Sequence, residues 1–273
     1  MEEYLQKEIE SFQLDDDVDP ARCARTIFKH IQLTVLNDKE EGDKNGNGIV
    51  QEKMKSLLEP VLLKYVDGVL AAQATTTEHR ETLDRLMELL SILSCSFDNY
   101  NEDDDDDNDS QSLMTTVLDR VELFTTASTD KFRGQACTLL GRIVFYLRRK
   151  RTGGNGDNNN NNNSVLECLD RIESLLLPRL KDTHQSVRQS AIQAVGILLD
   201  PSSTITMSDD TVDDIQTKVL STSGFPSALE ELLWSMWHDP SVSNRAEAVL
   251  SVPIVGLDED DGQKNNDDDD DEE

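Results

Sequence analysis

Apolar residues recur along most of the chain at spacings of three and four, which is the period of an amphipathic α-helix. Within residues 79–97, for example, Leu83, Leu86, Leu90 and Leu93 share one stripe, and charged residues lie mostly outside it. No Asn-Gly turn joins two alternating runs, so strand signals are absent. The pattern predicts an all-α chain. The candidate helices cover residues 18–36, 53–72, 79–97, 112–126, 132–149, 165–180, 185–199, 210–220, 226–237 and 243–254.

One short pattern occurs three times in the second half of the chain. An arginine is followed by alanine three positions later and by apolar residues seven and ten positions later. The copies start at Arg133, Arg188 and Arg245, and the second and third have an acid six positions before the arginine, at Asp182 and Asp239. Successive repeat arginines are separated by 55 and 57 residues. Without the polar insertions, these separations approach the ~40–47 residues of a HEAT or armadillo hairpin.

A single helical hairpin cannot bury its own apolar face, whereas stacked hairpins cover one another. The recurring alanines, Ala136, Ala191 and Ala248, allow neighbouring helices to approach closely. We therefore predict an α-solenoid of HEAT/armadillo-like helical hairpins with disordered acidic and Asn-rich insertions. The acid and the arginine are predicted to form a structural ladder across the inter-repeat turns. That ladder comprises Arg133, Asp182, Arg188, Asp239 and Arg245.

The amino-acid sequences of these repeats carry information beyond their spacing. Residues 129–143 (TDKFRGQACTLLGRI) resemble the first clear HEAT repeat of condensin complex subunit 3, the CAP-G type subunit. Residues 177–182 (LPRLKD) running into 187–195 (VRQSAIQAV) are similar to the same family. So are residues 238–241 (HDPS), followed after the repeat arginine by 250–254 (LSVPI).

The resemblance covers about residues 112–255, and it extends to residues 1–100 by helical pattern only. It implies a non-catalytic solenoid in a condensin complex, active in mitotic chromosome condensation in the nucleus. The implied partners are a kleisin subunit, the SMC ATPase subunits and double-stranded DNA, the last held in a positively charged groove. A HEAT-repeat adaptor of the transport-receptor or phosphatase-scaffold type is the alternative, because such proteins share the same Asp and Arg pattern.

The formal charge of −29 is concentrated in two runs. Residues 102–109 hold seven acids and residues 258–273 hold eleven; the rest of the chain has 37 acids and 25 bases. Such runs bury nothing that offsets backbone entropy, so we expect them to be disordered. The predicted division is N-terminal hairpins in 1–100, an acidic disordered insertion in 101–110, HEAT repeats in 111–256 with a disordered loop at 152–163, and an acidic disordered tail in 257–273.

A dense basic cluster ends one candidate helix and is the main candidate for a nucleic-acid contact. It comprises Arg142, Arg148, Arg149, Lys150 and Arg151. Lysine and arginine there can neutralise DNA phosphates in a salt-dependent way. They can equally be solvated residues that meet the negative end of the helix dipole, and the acidic background opposes the DNA interpretation.

Residues 43–50 resemble the start of an EF-hand calcium loop, with oxygen ligands at positions 1, 3 and 5 and Gly48 at position 6. Position 12 of that loop is Met54 rather than the bidentate glutamate. A calcium-binding regulator acting through residues 43–54 is therefore a distant third hypothesis.

Enzyme motifs are missing: there is no GxSxG, P-loop, GxGxxG or HExxH, and the four cysteines are widely spaced. We expect no catalytic residues, no cofactor, no metal and no contact with a membrane. Trp234 and Trp237 lie three apart, which predicts core or inter-repeat packing, with a partner-binding hot spot as the alternative.

Overall fold

The structure is a computed structural model that describes residues 2–14, 19–37, 46–72, 77–97, 113–153, 159–200 and 225–252. Every regular element in these ranges is an α-helix, which confirms the predicted all-α class. The ten helices of the described ranges are α1 (Glu2–Leu14), α2 (Pro20–Asn37), α3 (Gly46–Ala71), α4 (Thr77–Phe97), α5 (Leu113–Thr125), α6 (Asp130–Gly153), α7 (Asn159–Leu180), α8 (Gln185–Leu199), α9 (Pro226–His238) and α10 (Val242–Ser251).

Successive helices pair into five hairpins, from α1–α2 to α9–α10, and each hairpin packs against the next. Odd-numbered helices contact odd-numbered neighbours and even-numbered helices contact even-numbered ones, so the helices form two layers. This arrangement is the predicted α-solenoid. Contacts between neighbours are denser in the even-numbered layer, above all between α6 and α8.

A continuous apolar core lies between the layers. Every hairpin contributes to it, and the alanines of the three arginine repeats, Ala136, Ala191 and Ala248, are fully buried. Each buried aliphatic side chain contributes about 1.5–3 kcal/mol of transfer free energy. The stack is therefore held by a surface that no single hairpin could cover alone.

Helix α1 was not predicted, although its apolar residues Leu5, Ile9 and Phe12 have helical spacing and are all buried. The prediction missed them because the segment is short and rich in charge. Helix α3 begins at Gly46, seven residues before the predicted start at 53, because helical hydrogen bonds propagate beyond the packed turns.

Several predicted segments lie outside the described residues. They are the candidate helix 210–220, the acidic insertion 101–110 and the tail 257–273. The loop predicted as disordered at 152–163 is helical at both ends, since α6 continues to Gly153 and α7 begins at Asn159, and residues 154–158 lie outside the described residues. The same propagation of helical hydrogen bonds accounts for that difference.

Glycines provide close approach within the even-numbered layer. A Cβ added at Gly196 would lie 2.7 Å from Cβ of Ser251, and one added at Gly141 would lie 3.1 Å from Cα of Ala194. A Cβ at Gly68 would meet nothing within 4 Å. The glycines at 141 and 196 therefore allow α6, α8 and α10 to pack closely.

We expect Gly196→Ala to destabilise the protein by about 1–3 kcal/mol through overpacking. The matched change Gly68→Ala should instead stabilise it by up to about 1 kcal/mol, because alanine is the better helix former. Thermal unfolding followed by circular dichroism measures both. Equal effects of the two substitutions would contradict the close contact between α8 and α10.

Candidate protein-binding surface

The structure brings two of the three repeat arginines to the acid of the following hairpin, while the third, Arg245, donates to the backbone carbonyl of Asp239 at 2.7 Å. Arg133 donates to Asp182 through Nε at 2.7 Å and Nη2 at 2.9 Å. Arg188 donates to Asp239 in the same way, at 2.7 Å and 3.1 Å. The side chains of both pairs are less than a tenth exposed. These are bidentate, charge-assisted pairs in sites that exclude most solvent.

The third guanidinium nitrogen of each arginine, Nη1, donates to backbone carbonyls in the interhelical turn of its own hairpin. Nη1 of Arg133 donates to the carbonyls of Ala127 and Ser128, at 2.8 Å and 2.9 Å. Nη1 of Arg188 donates to those of Asp182 and Thr183, at 2.8 Å and 3.2 Å. All three guanidinium nitrogens of both arginines therefore make hydrogen bonds within the fold.

The aspartates also organise the start of the next helix. Oδ1 of Asp182 accepts the backbone N–H of His184 at 3.0 Å, and Oδ1 of Asp239 accepts that of Ser241 at 2.8 Å. A carboxylate that accepts backbone N–H groups at a helix N-terminus stabilises that helix. Each aspartate therefore links its own hairpin to the preceding one and also accepts a hydrogen bond at the start of the helix that follows it.

The pKa of Asp182 reflects these contacts. Burial alone would raise it, but hydrogen bonds from Arg133 and the His184 N–H, with the positive charges nearby, lower the pKa from 3.8 to about 2. The pKa of Asp239 is lowered too: burial opposes the change, and hydrogen bonds led by that from Arg188 outweigh it.

A lowered folded-state pKa means that the stabilisation is complete above the unfolded pKa near 4 and is lost as the pH falls toward 2. We therefore expect the difference in unfolding free energy between the natural chain and Asp182→Asn to shrink by about 2 kcal/mol from pH 6 to pH 2. Urea unfolding at a series of pH values measures this. A difference that does not change with pH would contradict the ionised pair.

The basic cluster does not form a single patch among the described side chains. Nη2 of Arg142 pairs with Asp84 of α4 at 3.3 Å. Arg148 is buried, and its Nη1 donates to the backbone carbonyl of Asp200 at the end of α8. The backbones of residues 149–151 belong to α6, but their side chains lie outside the described residues.

The segment that suggested a calcium site has helical backbone from Gly46 onward, and Met54 is buried in the core. An EF-hand ligand set needs a loop that wraps around the ion, and this backbone does not provide one. In the described part of the chain, no three His, Cys, Asp or Glu side chains are grouped to hold a metal ion. None of the helices there is both long and apolar enough to span a bilayer.

The tryptophans of α9 are not in the core, so that part of the packing prediction was wrong, whereas Trp234 does contact the preceding hairpin at Lys181. Trp237 is 72% exposed. Trp234 is 44% exposed, stacks on His238 with ring centroids 5.0 Å apart, and lies 5.6 Å from Nζ of Lys181. Both are in the last described hairpin, which no described neighbour covers on its far side.

A groove crosses the even-numbered layer where α4, α6 and α8 meet. Its lining residues are Glu88, Thr138, Gly141, Arg142, Phe145, Tyr146, Ser190, Gln193, Ala194 and Ile197. Four of the ten lining residues are small, and α6 and α8 approach closely at two of them, Gly141 and Ala194.

The groove combines an apolar anchor point with polar groups of both signs. The ring of Phe145 is 43% exposed and lies edge-on to Tyr146, whose hydroxyl donates to Glu88. Arg142, whose side chain is 32% exposed and whose Nη2 pairs with Asp84 at 3.3 Å, places a positive charge at the groove. An aromatic side chain with nearby polar groups is typical of protein-binding hot spots.

Sequence reasoning missed a second set of ion pairs in the odd-numbered layer. Arg120 of α5 pairs with Asp67 of α3, and Arg171 of α7 pairs with Asp119 and Glu122 of α5. The signal was present as a second repeat, LDRVE at 118–122 and LDRIE at 169–173. The two copies lie 51 residues apart, close to the interval of the first repeat.

Comparison with known proteins does not assign the chain to a family. No family model matches the chain, and no curated protein matches it. Among solved structures, the chain is similar to an engineered protein that was a Northeast Structural Genomics Consortium target. The identity is 13%, the match covers 91% of this chain and 94% of the other, and the TM-score is 0.24. A likeness at that level carries no argument about function.

Proposed function

We propose that the chain is a non-catalytic HEAT-repeat scaffold that binds an extended segment of a partner protein in the groove between α4, α6 and α8. The observation that carries this proposal is the exposed ring of Phe145 beside Arg142 and Glu88 in that groove. We further propose that the partner is the kleisin subunit of a condensin-like complex. The sequence resemblance over residues 112–255 supports that choice.

In this proposal the protein works beside the SMC ATPase subunits in mitotic chromosome condensation, in the nucleus and on chromosomes. Its role is to position other chains, because an extended stack of hairpins offers long surfaces for binding. The described arginines and aspartates of the ladder are occupied by structural contacts. That occupation favours a scaffold over an enzyme.

The groove is tested with Phe145→Asp, which places a charge at the anchor position. We expect co-purification of SMC and kleisin chains from dividing cells to fall at least about tenfold, as for loss of a hot spot. The matched control is Leu123→Asp, on α5 in the other layer, where the side chain is 59% exposed. The control should leave co-purification unchanged.

Three outcomes of that experiment contradict parts of the proposal. If the natural chain captures no SMC or kleisin subunits, the condensin assignment fails. If it captures a transport cargo or a phosphatase instead, the adaptor alternative replaces it. If Phe145→Asp and Leu123→Asp behave alike, the groove is not the binding site.

We propose DNA as a second ligand through residues 149–151 at the end of α6. Arg148 is excluded from this set because it is buried against the Asp200 carbonyl. Changing Arg149, Lys150 and Arg151 to glutamate should weaken retention of duplex DNA in a low-salt shift assay, because phosphate contacts dominate such binding. A natural chain that retains no DNA would remove this part of the proposal.

A further inference from the structure

The arginine repeat has an earlier copy in α4, and that copy lacks its ladder acid. Arg80 stands 53 residues before Arg133. The residues seven and ten positions after it, Met87 and Leu90, are buried, as they are in the copies at Arg133 and Arg188. Arg80 itself is exposed, however, and forms no ion pair with an acid of the described residues. The repeat therefore begins one hairpin earlier than the ladder does.

The sequence of the next interhelical turn explains the missing pair. Ala127 lies six positions before Arg133, where the later copies have Asp182 and Asp239. Its carbonyl accepts from Nη1 of Arg133 at 2.8 Å, as the carbonyl of Asp182 accepts from Nη1 of Arg188. The turn at Ala127 therefore has the backbone contact of the ladder, with a methyl group in place of the carboxylate.

The same junction lacks the small residues that bring the later helices together. Gly141 of α6 and Ala194 of α8 approach so closely that an added Cβ would lie 3.1 Å from Cα of the alanine. The matching positions of α4 and α6, 53 and 55 residues earlier, hold Glu88 and Leu139. These larger side chains prevent an equally close approach, which agrees with the denser contacts between α6 and α8.

The contacts between the α3–α4 and α5–α6 hairpins differ between the two layers. In the odd-numbered layer, Nε and Nη2 of Arg120 donate to the two carboxylate oxygens of Asp67. In the even-numbered layer, Nη2 of Arg142 pairs with Asp84 at 3.3 Å, and both side chains are partly exposed. A bidentate pair fixes an angle, whereas a single exposed pair exchanges with water. Further polar contacts across this junction are single hydrogen bonds, from Tyr146 to Glu88 and from Gln135 to the carbonyl of Ala72.

We propose that the junction between α3–α4 and α5–α6 is a hinge, and that movement about the Arg120–Asp67 pair opens and closes the groove between α4, α6 and α8. The later junctions have buried bidentate pairs and small-residue contacts, so α5 to α10 move as one body. The groove is lined from both sides of the hinge, since Glu88 belongs to α4 and the other lining residues belong to α6 and α8. A ligand that contacts both sides therefore favours one hinge angle. The control of the groove rests on its proposed function, whereas the hinge itself does not.

Ala127→Asp tests whether the missing carboxylate leaves the hinge loose. The new side chain occupies the position of Asp182 and Asp239 in the later copies, so it should pair with Arg80 and raise Tm by about 2–4 °C. Adding Arg80→Gln is the matched control and should abolish the increase. Arg80→Gln alone should change Tm little, because Arg80 is exposed. No increase, or an increase that Arg80→Gln leaves intact, would overturn the proposal.

Distances between spin labels measure the hinge in the isolated chain. Cysteines introduced at the exposed positions Gly68 of α3 and Ser174 of α7 span the hinge and one later junction. Cysteines at the exposed positions Leu123 of α5 and Glu230 of α9 span two later junctions. Cys168 is changed to serine in both chains, and the other three natural cysteines are buried.

Double electron–electron resonance should give a broader distance distribution for the first pair of labels than for the second. Ala127→Asp should narrow the first distribution and leave the second unchanged. Equal widths in the two chains without Ala127→Asp would overturn the hinge.

Capture of SMC and kleisin chains then tests whether the hinge controls the groove. Ala127→Asp should reduce their co-purification from dividing cells, because it fixes the angle between α4 and α6, and adding Arg80→Gln should restore it. Unchanged capture with a narrowed distribution would overturn the coupling. If the natural chain captures neither, the proposed function and its control fail together, while the label distances still decide the hinge. Phe145→Asp should reduce capture without changing either distribution.

Discussion

Replacing Asp182 by asparagine is expected to destabilise the protein by about 3–5 kcal/mol, the cost of removing one partner from a buried ion pair. Arg133 would keep its charge in a site where its side chain is only 9% exposed. Its contacts with the carbonyls of Ala127 and Ser128 cannot replace an ionised acceptor. The junction between the α5–α6 and α7–α8 hairpins would open first.

Chemical denaturation measures this loss, and Asp84→Asn is the matched control. Asp84 pairs with Arg142, but its side chain is 47% exposed and that of Arg142 is 32% exposed. An exposed pair contributes about 0–1 kcal/mol, so the control should change little. Similar losses in both variants would show that burial does not strengthen the Asp182 pair.

Ala191→Arg is expected to be at least as damaging, with a loss of several kcal/mol. The alanine is fully buried in α8, where there is room for neither the longer side chain nor an unpaired charge. Because this variant can fail to fold, Ala191→Val provides a graded measurement, with an expected loss of about 1–3 kcal/mol.

Thermal unfolding and soluble yield measure both changes. Ala246→Arg is the matched control, since Ala246 is exposed on α10. The control should shift the stability by no more than about 0.5 kcal/mol. An unchanged Tm for Ala191→Val would contradict the position of this alanine between packed helices.

The ladder pattern could be read from the sequence because it combines two strict spacings. The alanine three residues after each arginine lies on the buried side of the helix, and in the second and third copies the acid six residues before the arginine lies in the interhelical turn. Helical periodicity also predicted the fold class and most of the helices. These features depend on residues close together in the chain.

Other features depend on which elements pack against a residue, and these could not be predicted from the sequence. Arg148 and Trp237 are examples: a basic residue is buried because the end of α8 lies beside it, and an aromatic residue is exposed because no described hairpin follows. The groove at Phe145 similarly requires the register of α6 against α8. Local sequence does not contain that register.

The odd-numbered layer illustrates an intermediate case. The repeated motif around Arg120 and Arg171 was visible, but its partners lie about fifty residues earlier in the chain. Only the stacking of successive hairpins brings those partners together. The motif recurs after 51 residues rather than the 55 or 57 of the first repeat, so only a search that allowed other intervals would have found both arginines.

The central claim is that consecutive hairpins are joined by specific pairs of an arginine and an aspartate. A double-mutant cycle on Arg188→Gln and Asp239→Asn tests it most directly, because it isolates the coupling between the two side chains. We predict a coupling of at least about 2 kcal/mol for this pair. Arg133 and Asp239, which do not contact each other, should be additive within about 0.5 kcal/mol. Additive effects for Arg188 and Asp239 would contradict the stacked arrangement.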